Sequence, residues 1–147
     1  MIKVITLKEY VLGVVFSFDK KEILLMKRKK DPYNGLINGI GGKVESTETH
    51  LAAMKREFGE ESGLSIDSIK EIEHMMSISF PEEILHAYFI KLKTKVNLVV
   101  EENHEGTYFW EVITNKLLDC NNNDLAGEGS LSYFIKFAQD IYIKDEN

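Results

Sequence analysis

The chain is poor in the residues that staple, steer or anchor a protein. It has one cysteine, Cys120, so no disulfide can close within it, and a disulfide-built secreted scaffold is excluded. It has two prolines in 147 residues and no low-complexity tract, internal repeat or interdomain linker. Positive charge is in deficit: 18 Lys and Arg stand against 24 Asp and Glu, a formal net charge of −6. Stable nucleic-acid binding is not expected, because that affinity comes from cations displacing counterions. An anionic ligand would have to be met by local cations. Long hydrophobic runs are missing too. The apolar stretch from Val11 to Phe16 is too short to span a membrane. No basic segment precedes a long apolar one near Met1, and no targeting signal is read. The expectation is a cytoplasmic protein that does not engage a membrane; the oligomeric state is left open.

What is present suits a folded domain. Hydrophobic residues make up 44% and charged residues 29%, enough of each for a core and a solvated surface. The expectation is one domain over residues 1–147. Strand-like segments are Ile2–Leu7, Tyr10–Phe18, Glu22–Lys27, Glu73–Phe80, Ile84–Thr94, Asn97–Val100 and Thr107–Val112, with a short apolar run at Leu36–Ile40. A helix is predicted from an N-cap at Ser46 or Thr47 to about Ser62, with Gly63 as its stop. A second helix covers Ser130–Ile141, where Leu131, Phe134, Ile135 and Ala138 share a face. The fold class is therefore mixed α/β or α+β.

The first helix carries Glu57, Glu60 and Glu61, which fall within one arc of about 100°. Like charges at this spacing repel, and carboxylates near a helix C-terminus oppose its dipole. Gly59 weakens the same helix further. Arg56 offsets part of the charge; a hard divalent cation would offset more, and Mg²⁺ takes oxygen ligands of this kind. Leu51, Met54 and Phe58 form the apolar stripe expected to pack on a sheet. Ala53 is expected beside the acids, leaving room there, and Lys55, Gly59 and Ser62 toward solvent. Just upstream, Gly39, Gly41 and Gly42 permit close approach of backbone to a ligand, but the pattern is not a P-loop.

Taken together, the run resembles the Nudix box, G-x5-E-x7-R-E-U-x-E-E-x-G-U with U a bulky apolar residue. Here it is Gly42, Glu48, Arg56-Glu57-Phe58, Glu60-Glu61 and Gly63-Leu64, with every fixed position filled. The resemblance implies the Nudix fold, a mixed β-sheet sandwiched between helices. It implies hydrolysis of a nucleoside diphosphate linked to another group, with Mg²⁺ or Mn²⁺. By similarity, Glu57, Glu60, Glu61 and the carbonyl of Gly41 would hold the metal. Glu48 and Arg56 would position the loop and the glutamates.

Outside the box, Glu105 lies five residues before Trp110, similar to an E-x4-W arrangement in the family, and is the candidate for a further acid, with Glu101 and Glu102 as rivals. The general base is left between Glu57 and Glu105. Arg28 and Lys43 are the candidates to meet substrate phosphate. The run Asn38-Gly39-Ile40-Gly41-Gly42-Lys43-Val44 resembles the MutT-like branch, including oxidised-purine nucleoside triphosphatases, and places Asn38 at the base. Ile37 stands where that branch often has Trp, and Asp124 is the nearest substitute for its later pair of aspartates. Tyr33, Tyr108 and Phe109 are read as stacking or packing residues. His50, His74, His86 and His104 show no ligand spacing, and Cys120 has no partner motif; these are read as structural or surface residues.

The expected activity is hydrolysis of a nucleoside triphosphate, with an oxidised purine deoxynucleotide among the candidates, to a nucleoside monophosphate and pyrophosphate. Alternatives are an ADP-ribose or nucleotide-sugar pyrophosphatase, an RNA 5′ pyrophosphohydrolase, and a nucleotide sensor without turnover.

Overall fold

The computed structural model describes residues 6–97 and 101–143. The strands are β1 (Lys8–Phe16), β2 (Glu22–Arg28), β3 (Ile37–Asn38), β4 (Ile40–Lys43), β5 (Ile69–Ser79), β6 (Glu83–Leu92) and β7 (Gly106–Val112). The helices are α1 (His50–Ser62) and α2 (Ser130–Tyr142). A strand expected at Ile2–Leu7 is not seen at Thr6–Leu7, and its first part lies outside the described residues. The run expected at Asn97–Val100 lies mostly outside them as well, and Asn97 itself is in no element.

Neighbouring strands follow the order β3-β2-β1-β6-β5, with β4 also on β1 and β7 also on β2. β1 and β6 run parallel over their whole length, Lys8 opposite Glu83 through Phe16 opposite Lys91. The other ladders are antiparallel. On its other side β1 changes partner. Tyr10–Gly13 pair with β4, whereas Val15 and Phe16 pair with β2. The sheet therefore forks beside Val14, and β4 with its glycines lies in the fork.

Alternation along each strand sorts the core into two layers. Val11, Val15, Leu24, Met26, Tyr88, Ile90 and Leu92 face the α1 side. Leu12, Val14, Phe16, Ile23, Leu25, Ala87 and Phe89 face α2. A strand covered on both faces needs no polar alternation, which is why Val11–Phe16 reads as one apolar run. α2 supplies Leu131, Phe134, Ile135 and Ala138, the face its periodicity predicts. α1 buries Met54 and Phe58 fully, each worth roughly 1.5–3 kcal/mol. Gly13 makes room for this packing, since a Cβ there would lie 2.9 Å from Met54 Cε.

Several local expectations for α1 are corrected. Its N-cap is Thr49, whose side chain accepts from the Ala52 amide, not Ser46 or Thr47. Leu51 is 39% exposed and stands off the stripe. Ala53 is fully buried and packs in the α1-side core. Ser62 is also buried; its hydroxyl donates to the Phe58 carbonyl and accepts from the Leu64 amide. The stop is as expected: Gly63 adopts φ 72°, a left-handed conformation natural to glycine.

Candidate active site

The two glycines of β4 are fixed by what lies against them. A Cβ on Gly41 would come within 2.0 Å of the Val11 carbonyl oxygen, so only glycine permits the β1–β4 ladder to close there. A Cβ on Gly42 would lie 2.4 Å from Glu57 Oε1. The Glu57 carboxylate thus occupies the space that any other residue at 42 would fill. The Gly41 amide donates to Glu61 Oε2 at 3.0 Å. Two acids of α1 are in this way seated on the glycine strand.

Arg56 holds the rest of the turn. Its Nη2 and Nε bind Glu48 at 2.6 and 3.1 Å, a bidentate pairing. Nη2 also donates to the Lys43 carbonyl at 3.0 Å, and Nη1 to Glu57 at 2.8 Å. Glu48 in turn accepts from the Glu45 amide. The hydrogen bond from Arg56 holds the Glu48 carboxyl below the usual range.

The acids are unequal. Glu61 is only 5% exposed. Burial, then the charge of Glu57, pushes its carboxyl up to about 9, while the Gly41 amide and the charge of Arg28 pull the other way. Glu57 is also raised, first by burial, with Arg56 opposing and Glu60 and Glu105 reinforcing. Glu60 differs: its side chain is 61% exposed and reaches Arg56 at 3.4 Å. The shared arc expected from the helix therefore divides into one buried acid, Glu61, one half-buried, Glu57, and one at the rim, Glu60.

The loop before β7 brings a further acid to this pair. Glu105 is half-buried, and its charge acts on both Glu57 and Glu61. Asn103 Oδ1 accepts from the Glu105 and Gly106 amides at 2.8 and 3.2 Å and so shapes the loop. Lys30 and His104 lie 3.8 and 3.3 Å from Glu105. The rival Glu102 is turned to Lys29. Tyr108 is a buried packing residue near the acids; burial first, then Glu61, pushes its phenol up to about 12. Asn103 and Tyr108 were not singled out for this place, because only the β2–β7 register brings them to it.

Of the two candidate cations, Arg28 ends β2 half-buried, donates from Nε to the Pro32 carbonyl at 2.7 Å, and acts on Glu61. Lys43 ends β4 exposed. Asn38 lies on β3, where its Oδ1 accepts from the Gly39 amide and its Nδ2 remains a donor. The 122–126 loop runs beside it: the Ile37 amide donates to the Asp124 carbonyl, and the Ala126 amide donates to the Ile37 carbonyl. A shallow pocket of about 200 Å³ opens there, lined by Tyr33, Leu36, Asn122, Asn123 and Glu128 among others. Tyr33 donates to Glu128 at its edge.

A divalent cation fits the buried end of this constellation. Its donors are carboxylate oxygens, the choice of Mg²⁺ and Mn²⁺. Glu61 is buried and Glu57 half-buried, both with their charges unfavourable, a cost that a cation between them would remove. At the opposite end of α1, His50, His74 and His86 come together, which their sequence spacing did not suggest.

The NUDIX domain family model matches residues 7–119. The oxidized purine nucleoside triphosphate hydrolase of Mus musculus and that of Danio rerio are each 39% identical to this chain over 62 residues, 42% of the chain. The match spans 40% of each relative. Among solved structures, the NUDIX domain of Shewanella oneidensis NrtR complexed with ADP ribose superposes with a TM-score of 0.70 at 17% identity, over 95% of this chain and 89% of that one. A structure from a study of MutT from Aliivibrio salmonicida and Vibrio cholerae gives 0.61 at 26% identity, over 88% and 97%. The E. coli dihydroneopterin triphosphate pyrophosphohydrolase gives 0.68 at 17%, over 94% and 98%. Forked sheet, glycine strand and acid-bearing helix agree with that match across most of the length, and the chain belongs to the NUDIX domain family.

Proposed function

We propose that this protein is a Mg²⁺- or Mn²⁺-dependent pyrophosphohydrolase that cleaves a nucleoside triphosphate to a nucleoside monophosphate and pyrophosphate. The observation that carries this reading is the pair of acids, buried Glu61 and half-buried Glu57, seated on the glycine strand with Glu105 beside them. Such a group of carboxylates repels an anionic substrate unless a cation stands between them, and a diphosphate needs that cation for its own charge.

Glu57, Glu60, Glu61 and the Gly41 carbonyl would hold the metal. When bound, the ion would neutralise and orient the diphosphate and acidify an attacking water. The chain's own residues do the remaining work. Glu57 or Glu105 would take the proton from that water, a reading supported by the charge of Glu105 acting on Glu57. Arg28, whose charge acts on Glu61, and exposed Lys43 would meet the phosphates. Arg56 and Glu48 keep the turn and Glu57 in register.

For the base, the reading is an oxidised purine. Asn38 offers its amide donor, the Asp124 backbone is its neighbour across Ile37, and the named relatives act on that substrate class. The test is a panel of ordinary and 8-oxo-purine nucleoside triphosphates with Mg²⁺, scored for pyrophosphate against phosphate release. Pyrophosphate with an 8-oxo preference is expected, and Asn38→Ala should reduce the preference. Nucleotide binding without Mg²⁺-dependent product would overturn the enzymatic reading. Turnover of ADP-ribose alone would overturn the substrate.

A further inference from the structure

We propose that His50, His74 and His86 form a second metal site, specific for a borderline transition-metal ion such as Zn²⁺, Co²⁺ or Ni²⁺, that ties the N-terminus of α1 to β5 and β6. One nitrogen from each of these imidazoles lies within 4.8 Å of the others. The first turn of α1 supplies His50, β5 supplies exposed His74, and β6 supplies buried His86. The position is separate from the carboxylate site: His50 and Glu57 are seven residues apart, about 10 Å along the helix axis.

The arrangement around His86 is that of a prepared ligand. Its Nε2 lies 2.8 Å from Glu9 Oε1. A carboxylate on one ring nitrogen places the proton there and leaves the lone pair on the other, as it does for metal-bound histidines. That other nitrogen, Nδ1, is 2.6 Å from Ser77 Oγ, and His74 Nε2 is 2.9 Å from the same oxygen. Two imidazoles from adjacent strands thus converge on one point, held in this state by a hydroxyl. A β-bulge between His74 and Met76 makes the convergence possible. His74 lies opposite Tyr88, and Ser77, three residues on, lies opposite His86, although Tyr88 and His86 are two apart. The extra residue puts His74 and Ser77 on one face.

His50 completes the set. Its ring stacks on His86 with centroids 3.9 Å apart and planes at 12°, and its Nδ1 bonds the Tyr88 hydroxyl. Stacked rings aim their lone pairs side by side, so binding turns His50 out of the stack and releases Tyr88. Burial, with His86 and His74 next, holds the His50 imidazole below its usual value and so in the neutral, ligating form. Nitrogen donors separate this site from its neighbour: imidazoles suit Zn²⁺, Co²⁺ and Ni²⁺, whereas carboxylates suit Mg²⁺.

The test is a Co²⁺ titration of the full chain in excess Mg²⁺, followed by visible absorption, with thermal unfolding in parallel. The expected result is saturable uptake of about one Co²⁺ per chain with the spectrum of nitrogen ligation, and a higher melting temperature. His74→Ala, at an exposed position, should weaken uptake at least tenfold, and Glu9→Gln by roughly 10–100-fold. The double variant Glu57→Gln/Glu61→Gln should leave it unchanged. No saturable uptake, uptake indifferent to His74→Ala, or uptake lost with the two glutamates would each overturn the proposal.

Discussion

At the C-terminal half of α1 the polar side chains are carboxylates resting on two glycines; at its N-terminus the polar group is an imidazole stacked among others from β5 and β6. Both ends run against the helix dipole, which favours anions at the start and cations at the finish. The two solutions differ because the groups differ. A buried carboxylate near neutral pH must either take up a proton, as Glu61 does with its carboxyl at about 9, or find a cation. An imidazole escapes the conflict by staying neutral, and the neutral form is the one that binds borderline metals. One helix thus carries a demand for a hard cation at one end and an unforced capacity for a softer one at the other.

The comparison breaks most sharply at the glutamates. Glu57→Gln and Glu61→Gln should each lower pyrophosphohydrolase turnover by at least about 100-fold, with the fold retained, as checked by single-turnover assays beside circular dichroism. Wild-type rates in either variant would remove that residue from the site. The glycines sharpen the same end. Gly42→Ala pushes against the Glu57 carboxylate, a movable side chain, so turnover should fall by roughly tenfold while the unfolding midpoint barely moves. Gly41→Ala pushes against the Val11 backbone, so it should cost about 1–3 kcal/mol in a urea titration. Equal effects of the two substitutions would contradict their different neighbours.

A smaller effect lies in pH. Glu61 titrates near 9 in the metal-free fold against 4.5 in its ordinary state, so the folded chain holds the proton that the unfolded chain loses. Its stabilising contribution is complete below about 4.5 and lost as pH rises toward 9. Saturating Mg²⁺ should oppose this loss, so the rise in melting temperature on adding Mg²⁺ should grow across that window. Glu61→Gln should flatten the growth; a pH-independent rise in the native chain would sink the account. The smallest effect belongs to the other end. His74→Ala should shift metal-free stability by no more than about 0.5 kcal/mol and leave nucleotide hydrolysis unaltered, because His74 is exposed and outside the carboxylate group.

These two ends also differ in how far the sequence revealed them. Gly41, Gly42, Glu48, Arg56, Glu57 and Glu61 are contiguous enough for helix period and turn chemistry to relate them, and the paired layers of core follow from apolar runs. The exposure of Glu60 was not legible, because it depends on where the sheet ends beneath α1. Thr49 displaced the expected caps because the loop from Glu45 to Glu48 is occupied with Arg56. The histidines were missed because their meeting depends on three separate facts: an antiparallel register, a helix start laid across it, and one unpaired residue in β5.

That unpaired residue works on β5 as a frameshift works on a message. On one side of it, His74 keeps the strand's original phase; beyond it, Met76 and Ile78 look to the α2 layer and Ser77 to α1. Without the bulge, a separation of three would send His74 and Ser77 to opposite faces, whereas deleting Met75 would leave them two apart and still on one face. The imidazole group is therefore written in the parity of a strand, a property that no substitution at the histidines themselves would disclose.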